Sequence, residues 1–140
     1  MKKTPRIFTP FVSFKDLISV LAARGDKIAF RFPEGKGYGQ MTYAEFSAKA
    51  HKIAAGIHAA GLADKRVALI GETSPEWVAS YLGVTAAGGV IIPMDKELAI
   101  SEIEGLLAGV EAEAIIFAPL LHKSWRQPWK TTPPCAFLSP

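Results

Sequence analysis

Two glycine-containing stretches of this 140-residue chain have residue types that could bind phosphate. The first, residues 35–39 (GKGYG), fits neither G-x-G-x-x-G, because residue 40 is Gln, nor the P-loop pattern G-x-x-x-x-G-K-[ST]. It also joins two strand-like runs rather than a strand and a helix, so its amides would not lie at a helix start. The sequence therefore predicts the tip of a β-hairpin here.

The second stretch, residues 71–75 (GETSP), lies between a predicted buried strand and a predicted helix. Helix N-termini bind anions because their first amides are unpaired and the dipole there is positive. Here Ser74 or Thr73 can accept hydrogen bonds from those amides, and Glu72 and Glu76 would repel a phosphate. We predict a self-capped helix rather than a phosphate site.

Other groups that could do chemistry are isolated. His51 and His58 lie seven residues apart on a predicted helix, and no third ligand or carboxylate is placed beside them by spacing. Cys135 has His122 nearby in sequence, without a recognisable nucleophile–base arrangement. Two acidic pairs have a spacing that does not bring side chains together on a helix, and we expect them in solvent: Glu102 with Glu104, and Glu111 with Glu113. The sequence predicts no catalytic, cofactor-binding or metal-ligating residue.

Four stretches repeat apolar residues with the period of a helix. The sequence predicts helices over residues 14–23, from about 42 to Gly61, from Pro75 onward and over about 101–107. Three of these begin with residues that could form a capping box: Ser13 with Asp16, Thr42 with Glu45, and Ser101 with Glu104. The third helix is apolar nearly all round, which indicates burial on more than one side.

Short apolar runs at residues 67–70, 90–92 and 114–117 have strand length and lack alternation, as is typical of strands buried on both faces of a parallel sheet. Residues 27–32 and 38–41 predict a hairpin with a flexible tip. The expected fold class is α/β: a Rossmann-like βαβαβ parallel sheet, preceded by a helix, a β-hairpin and a second helix, as an incomplete subdomain of a larger fold.

The amino-acid composition indicates whether the protein spans a membrane, is secreted or contains a disulfide. Hydrophobic residues make up 49% of the chain, yet the longest nearly apolar stretch, residues 84–94, is far short of the ~20 residues of a membrane-spanning helix. The basic start lacks the unbroken apolar core of a signal peptide. Cys135 is the single cysteine, which excludes an internal disulfide and fits a reducing compartment. We expect a cytoplasmic protein without a membrane span.

Charge separates the body of the chain from its last 21 residues. Residues 1–119 carry no net charge, so the body lacks the basic face that nucleic-acid binding requires. Residues 120–140 carry all of the +3 charge, two of the three tryptophans and four of the ten prolines, with no Gly, Asp or Glu. This segment is either an extended tail that binds a partner or not the natural continuation of the fold.

Five stretches together carry a family resemblance: residues 41–46 (MTYAEF), 67–77 (VALIGETSPEW), 81–88 (YLGVTAAG), 90–98 (VIIPMDKEL) and 111–117 (EAEAIIF). In this order they resemble the amino-terminal part of adenylate-forming, AMP-binding enzymes, and the last two are similar to the acyl-CoA synthetase (long-chain fatty acid–CoA ligase) branch. The resemblance covers roughly residues 14–119.

The resemblance implies ATP-dependent activation of a carboxylic or fatty acid to an acyl-adenylate and then transfer to coenzyme A, with ATP, Mg²⁺ and coenzyme A as cofactors. The family's phosphate loop, adenine-side motif, ribose-binding Asp and catalytic Lys have no counterpart in these residues. We therefore expect an amino-terminal fragment of an acyl-CoA synthetase that is inactive alone and carries no site residue or cofactor itself.

The corresponding domain prediction divides the chain into a partial AMP-binding subdomain at 1–119 and a tail at 120–140. This tail is predicted to be disordered or translated out of frame after a frameshift near residue 119. The expected partners are the remainder of such an enzyme or a second copy, bound through exposed apolar surface. The alternative is a free-standing α/β interaction module that binds a partner protein through residues 120–140.

Overall fold

A computed structural model describes residues 10–117 and the backbone of residues 136–138. It contains four helices and six strands among these residues. In chain order they are α1 (Phe14–Ala22), β1 (Ile28–Glu34), β2 (Gly37–Thr42), α2 (Tyr43–Ala59), β3 (Arg66–Ile70), α3 (Pro75–Ala86), β4 (Val90–Met94), α4 (Ile100–Gly109), β5 (Ala114–Phe117) and β6 (Ala136–Leu138). The predicted α/β class and the predicted element order up to β5 are confirmed.

The main sheet has the strand order β4-β3-β5-β6, and each neighbouring pair is parallel. The chain leaves β3 on one side to form β4 and then crosses back to form β5 on the other side of β3. The strand β6 falls within residues 120–140, where the sequence predicts a tail. The other residues of that predicted tail lie outside the described residues.

The two faces of this sheet belong to different hydrophobic clusters. Alternate strand residues, including Val67 and Leu69, pack with side chains of α2 and α3. The intervening residues, including Ala68 and Ile70, pack with Ile103 and other residues of α4 and the segment after it. This alternation is the result of a pleated strand covered on both sides, and it explains why β3 and β5 are continuously apolar. The prediction that residues 90–92 are buried on both faces is wrong, because β4 lies at the edge of the sheet and Val90 is exposed.

A third cluster joins the first third of the chain to α3. The hairpin β1–β2 is antiparallel, and its Phe30 ring lies 4.9 Å from the Phe46 ring of α2, centroid to centroid. Ile18 of α1 is fully buried in the same cluster, together with Ala79 and Leu82 of α3. Because α3 also contributes to the sheet cluster, it is buried on more than one side, as predicted.

Local sequence signals determine the ends of the first two helices. At the start of α2, Glu45 N–H donates to Thr42 Oγ1 (3.2 Å), and Thr42 N–H donates to a carboxylate oxygen of Glu45 (2.8 Å). The same reciprocal box joins Ser13 and Asp16 at α1. After α2, Gly61 has a φ of +70°, and the N–H of the next residue, Leu62, bonds back to the Ile57 carbonyl. The two boxes are the predicted ones, and the turn at Gly61, where the helix is predicted to end, is a Schellman motif.

The start of α4 corrects one prediction. The helix begins at Ile100 and its N-cap is Ala99, so the predicted box of Ser101 with Glu104 is wrong. Glu102 Oε2 instead accepts a hydrogen bond from Ala99 N–H at 2.8 Å. Ala99 has no side-chain acceptor for the helix amides, so only half of a box forms.

The hairpin tip corrects another prediction. Pro33 and Glu34 belong to β1, and Glu34 pairs with Gly37, so only two residues form the turn. Gly35 takes the first of these positions with a φ of +57°, a conformation that glycine adopts without the steric cost of a side chain. The predicted five-residue tip is therefore too long.

Two buried serines provide a matched test of the packing around α2 and α3. Ser47 is 1% exposed, and its Oγ has no hydrogen-bond partner among the described residues. Ser80 is 3% exposed, but its Oγ donates to the Glu76 carbonyl at 2.9 Å. We expect Ser47→Ala to raise the free energy of unfolding by about 1 kcal/mol and Ser80→Ala to lower it by about 0.5–1.5 kcal/mol. Urea denaturation measures both; equal losses in the two variants would contradict the assignment.

A close approach of α2 and α3 requires a glycine. A Cβ at Gly83 would lie 2.7 Å from Ile53 Cβ and 2.9 Å from the Ala50 carbonyl oxygen. A Cβ at Gly56, also in α2, would meet nothing within 4 Å. We expect Gly83→Ala to lower the free energy of unfolding by about 1–3 kcal/mol. We expect Gly56→Ala to raise it by about 0.5–1 kcal/mol, because alanine favours the helix. Thermal and urea unfolding compare the two; a Gly83→Ala variant as stable as Gly56→Ala would show that the helices separate freely.

Candidate functional site

The strand order identifies the part of the sheet where a ligand site is expected. The chain leaves β3 toward β4 and leaves β5 toward β6, in opposite directions along the sheet. In open α/β sheets, ligands bind outside the carboxyl ends of the strands where the direction reverses. For this chain that position is beyond Ile70 and Phe117, the last residues of β3 and β5. The candidate site therefore lies at the carboxyl ends of the strands, which we call the carboxyl edge of the sheet. Among the described residues, the β3–α3 loop borders it.

The β3–α3 loop leads into a helix that caps itself. Ser74 is the N-cap of α3, and its Oγ accepts a hydrogen bond from Trp77 N–H at 3.1 Å. Pro75 occupies the first helical position, where no N–H is needed. The predicted self-capped start is confirmed, because one helix amide is already bonded and another position has no donor.

The loops after β3 and β4 are joined by an ion pair across this edge. Lys96 Nζ lies 2.5 Å from a Glu72 carboxylate oxygen and 3.4 Å from one of Glu97. The hydrogen bond from Lys96 lowers the pKa of Glu72, and the same bond raises the pKa of Lys96. Both side chains remain accessible to solvent. The only lysine of the β4–α4 loop is thus already paired with carboxylates.

A second ion pair lies at the start of α3. Lys49 Nζ of α2 is 2.7 Å from a Glu76 carboxylate oxygen. The hydrogen bond from Lys49 lowers the pKa of Glu76, which keeps this carboxylate ionised in the first turn of α3. The helix dipole is therefore complemented by a charge of the chain itself.

Sequence reasoning singled out both glutamates but did not find their partners. The partner lysines lie 24 and 27 residues away in sequence. One signal could have indicated the Glu72–Lys96 pair. The loops after adjacent parallel strands lie side by side, and these two residues follow β3 and β4. No comparable signal pointed to the Lys49–Glu76 pair, which depends on how α2 packs against α3.

The glycine-rich stretch at residues 35–39 is part of the hairpin, as predicted, and lies in strand β2 and its turn. Gly39 is buried, and a Cβ there would lie 2.5 Å from the Phe32 ring. This glycine is therefore required for packing across the hairpin, which accounts for it without a phosphate.

The remaining candidates do not come together. His51 and His58 are exposed on α2. Glu102 closes the start of α4, and the Glu111/Glu113 pair bonds to the amino end of β3: Arg66 Nη1 lies 2.7 Å from a Glu111 oxygen and Lys65 Nζ 3.2 Å from a Glu113 oxygen. Glu111 and Glu113 are exposed, as predicted, and the turn before β5 also brings them to the start of β3. Cys135 and His122 lie outside the described residues.

Two searches of the described residues bear on other site classes. In residues 10–117 and 136–138, no three His, Cys, Asp or Glu side chains are grouped so that they could hold a metal ion. In the same part of the chain, no helix has both the length and the apolar character that a bilayer crossing demands.

Sequence relatives of this chain include peptide and CoA ligases. Tyrocidine synthase 3 from Brevibacillus parabrevis is 33% identical over 92 residues, covering 65% of this chain and 1% of that protein. Feruloyl-CoA synthase from an Amycolatopsis species is 32% identical over 80 residues, covering 56% of this chain and 16% of that protein. The chain thus spans less than a fifth of the length of these curated relatives.

The fold is shared with a solved ligase. The crystal structure of fatty acid AMP ligase from Legionella pneumophila superposes with a TM-score of 0.76 at 17% identity, over 91% of this chain and 23% of that one. The model of the AMP-binding enzyme family matches residues 19–135. Because the family match covers most of its length, this chain belongs to the AMP-binding enzymes, the adenylate-forming family.

Proposed function

We propose that this chain is the amino-terminal scaffold of an acyl-CoA synthetase and that it does not activate a carboxylate by itself. The family assignment supports the general reaction, in which a carboxylate attacks the α-phosphate of ATP and pyrophosphate leaves. The resemblance of residues 90–98 to the acyl-CoA synthetase branch supports coenzyme A as the second acceptor, and a CoA synthase is among the curated relatives.

One observation carries the proposal of inactivity: each described helix already has a carboxylate in its first turn. These residues are Asp16, Glu45, Glu76 and Glu102. Phosphates bind at helix N-termini because the amides and the dipole are available there. Here the amides are bonded or the charge is already negative, so none of these four helix starts offers a phosphate an open position.

Adenylation needs positive charge arranged around the phosphates before the reaction begins, because charge moves to the leaving pyrophosphate in the transition state. At the carboxyl edge, Lys96 is paired with Glu72, and Lys49 is paired with Glu76 near the start of α3. Freeing either lysine would also leave a carboxylate beside the incoming phosphate. These pairs suit a structural role better than nucleotide activation.

The direct test is ATP–pyrophosphate exchange with the full 140-residue chain. We expect no exchange above a protein-free blank with a long-chain fatty acid, with ferulate or with an amino acid, because none of the four described helix starts is open to a phosphate. A thermal unfolding transition by circular dichroism establishes that the assayed chain is folded. Exchange that depends on one of these acids would refute the proposed inactivity and identify the substrate class.

A binding measurement separates a scaffold from a slow enzyme. Isothermal titration of the folded chain with ATP and Mg²⁺ is expected to give no saturable heat. The variant Glu72→Gln/Glu76→Gln removes two of the acids and serves as the matched control. Stoichiometric ATP binding by the unmodified chain would contradict the proposal, whereas weak binding that appears only in the variant would support the role assigned to these acids.

The alternative, an interaction module acting through residues 120–140, depends mainly on residues outside the described ones. Within that segment, the structure describes only the backbone of β6, which pairs with β5.

A further inference from the structure

The strand β4 forms one edge of the main sheet, and it is apolar throughout. Among the described residues it pairs with β3 and with no other strand. Its sequence is VIIPM, without a charge, and Val90 is 53% exposed. An apolar edge strand presents unpaired backbone groups that another strand can join, which makes it a site of self-association unless something prevents pairing.

The hydrogen bonds to β3 show which backbone groups point outward. Val90 N–H donates to the Lys65 carbonyl at 2.8 Å, so the groups of Val90 face β3. In a parallel strand, successive residues direct their N–H and C=O groups to alternate sides. The backbone groups of Ile92 and Met94 therefore also point toward β3, and the backbone groups of Ile91 and Pro93 point away from the sheet. Pro93 is exposed, and it occupies an outward position where any other residue would present an N–H donor.

We propose that Pro93 prevents β4 from pairing with β4 of a second copy of this chain. In a twofold-symmetric antiparallel arrangement of two β4 strands, Ile91 of each copy would lie opposite position 93 of the other. A residue with an N–H at position 93 would exchange two hydrogen bonds with the Ile91 opposite it, which gives four bonds in all. Pro93 removes the donor from two of the four. The Ile91 carbonyl of each copy would then be buried against the other copy without a hydrogen-bond donor. The proline ring would also occupy space that the incoming strand needs.

A second copy is the relevant occupant because β4 itself supplies the complementary surface. The strand is short and uncharged, so no charge repels an identical strand. Proline on an edge strand is a recognised means of blocking this kind of pairing. The inference concerns assembly alone and holds whether or not the chain takes part in adenylation.

The test compares the full chain with the variants Pro93→Val and Pro93→Lys by sedimentation velocity over a range of concentrations. Pro93→Val restores the outward donor on an apolar strand, and we expect its dimer dissociation constant to be at least about tenfold lower than that of the unmodified chain. Pro93→Lys restores the same donor but adds a charge to the edge, and we expect association at the unmodified level.

Two outcomes would overturn the inference: a Pro93→Val chain that associates no more than the unmodified one, or a Pro93→Lys chain that associates as strongly as Pro93→Val. The second outcome would indicate that loss of proline loosens the fold. Thermal unfolding of each variant is measured alongside, and Pro93→Thr replaces Pro93→Val if the valine variant does not fold. Association through other apolar surface affects the unmodified chain and all variants alike, so the ratio of their dissociation constants still reports on position 93.

Discussion

The complete burial of β3 is the constraint on which the rest of this structure depends. Its residues 67–70 are at most 2% exposed, so both faces of the strand must be covered by helices and both edges by other strands. The chain satisfies this by placing α2 and α3 on one face and α4 on the other. Because crossovers between parallel strands are right-handed, α3 and α4 can lie on opposite faces only if the chain moves in opposite directions along the sheet in the two crossovers. The reversal of strand order that defines the candidate site follows from this burial.

Much of this architecture could be predicted because the signals were local. The Thr42–Glu45 box and the turn at Gly61 involve residues within a few positions of each other, and their physics is independent of the rest of the chain. The start of α4 was misplaced because Ser101 and Glu104 have the right spacing for a box. The chain after β4 becomes helical before Ser101, so Ala99 is the N-cap and Glu102 is its partner.

Neighbour relations were not available from the same signals. A continuous apolar run such as residues 67–70 indicates burial on both faces but not which strand lies alongside, so the central position of β3 was not predicted. The Lys49 partner of Glu76 lies in α2 and is determined by packing, whereas the Glu72–Lys96 pair had a signal in the order of the strands that was not used. Within the described residues, the expected absence of a catalytic set at the candidate site stays a prediction that only assay can test.

The relatives indicate how such a segment is used in evolution. A peptide synthase and a CoA synthase share recognisable sequence with it, although their names denote different products. The shared fold therefore does not identify a substrate. The close contact of α3 with two hydrophobic clusters has a mechanical consequence. The hairpin and α1 pack on one side of α3 and the sheet packs on the other, so a substitution that shifts α3 disturbs both hydrophobic clusters at once.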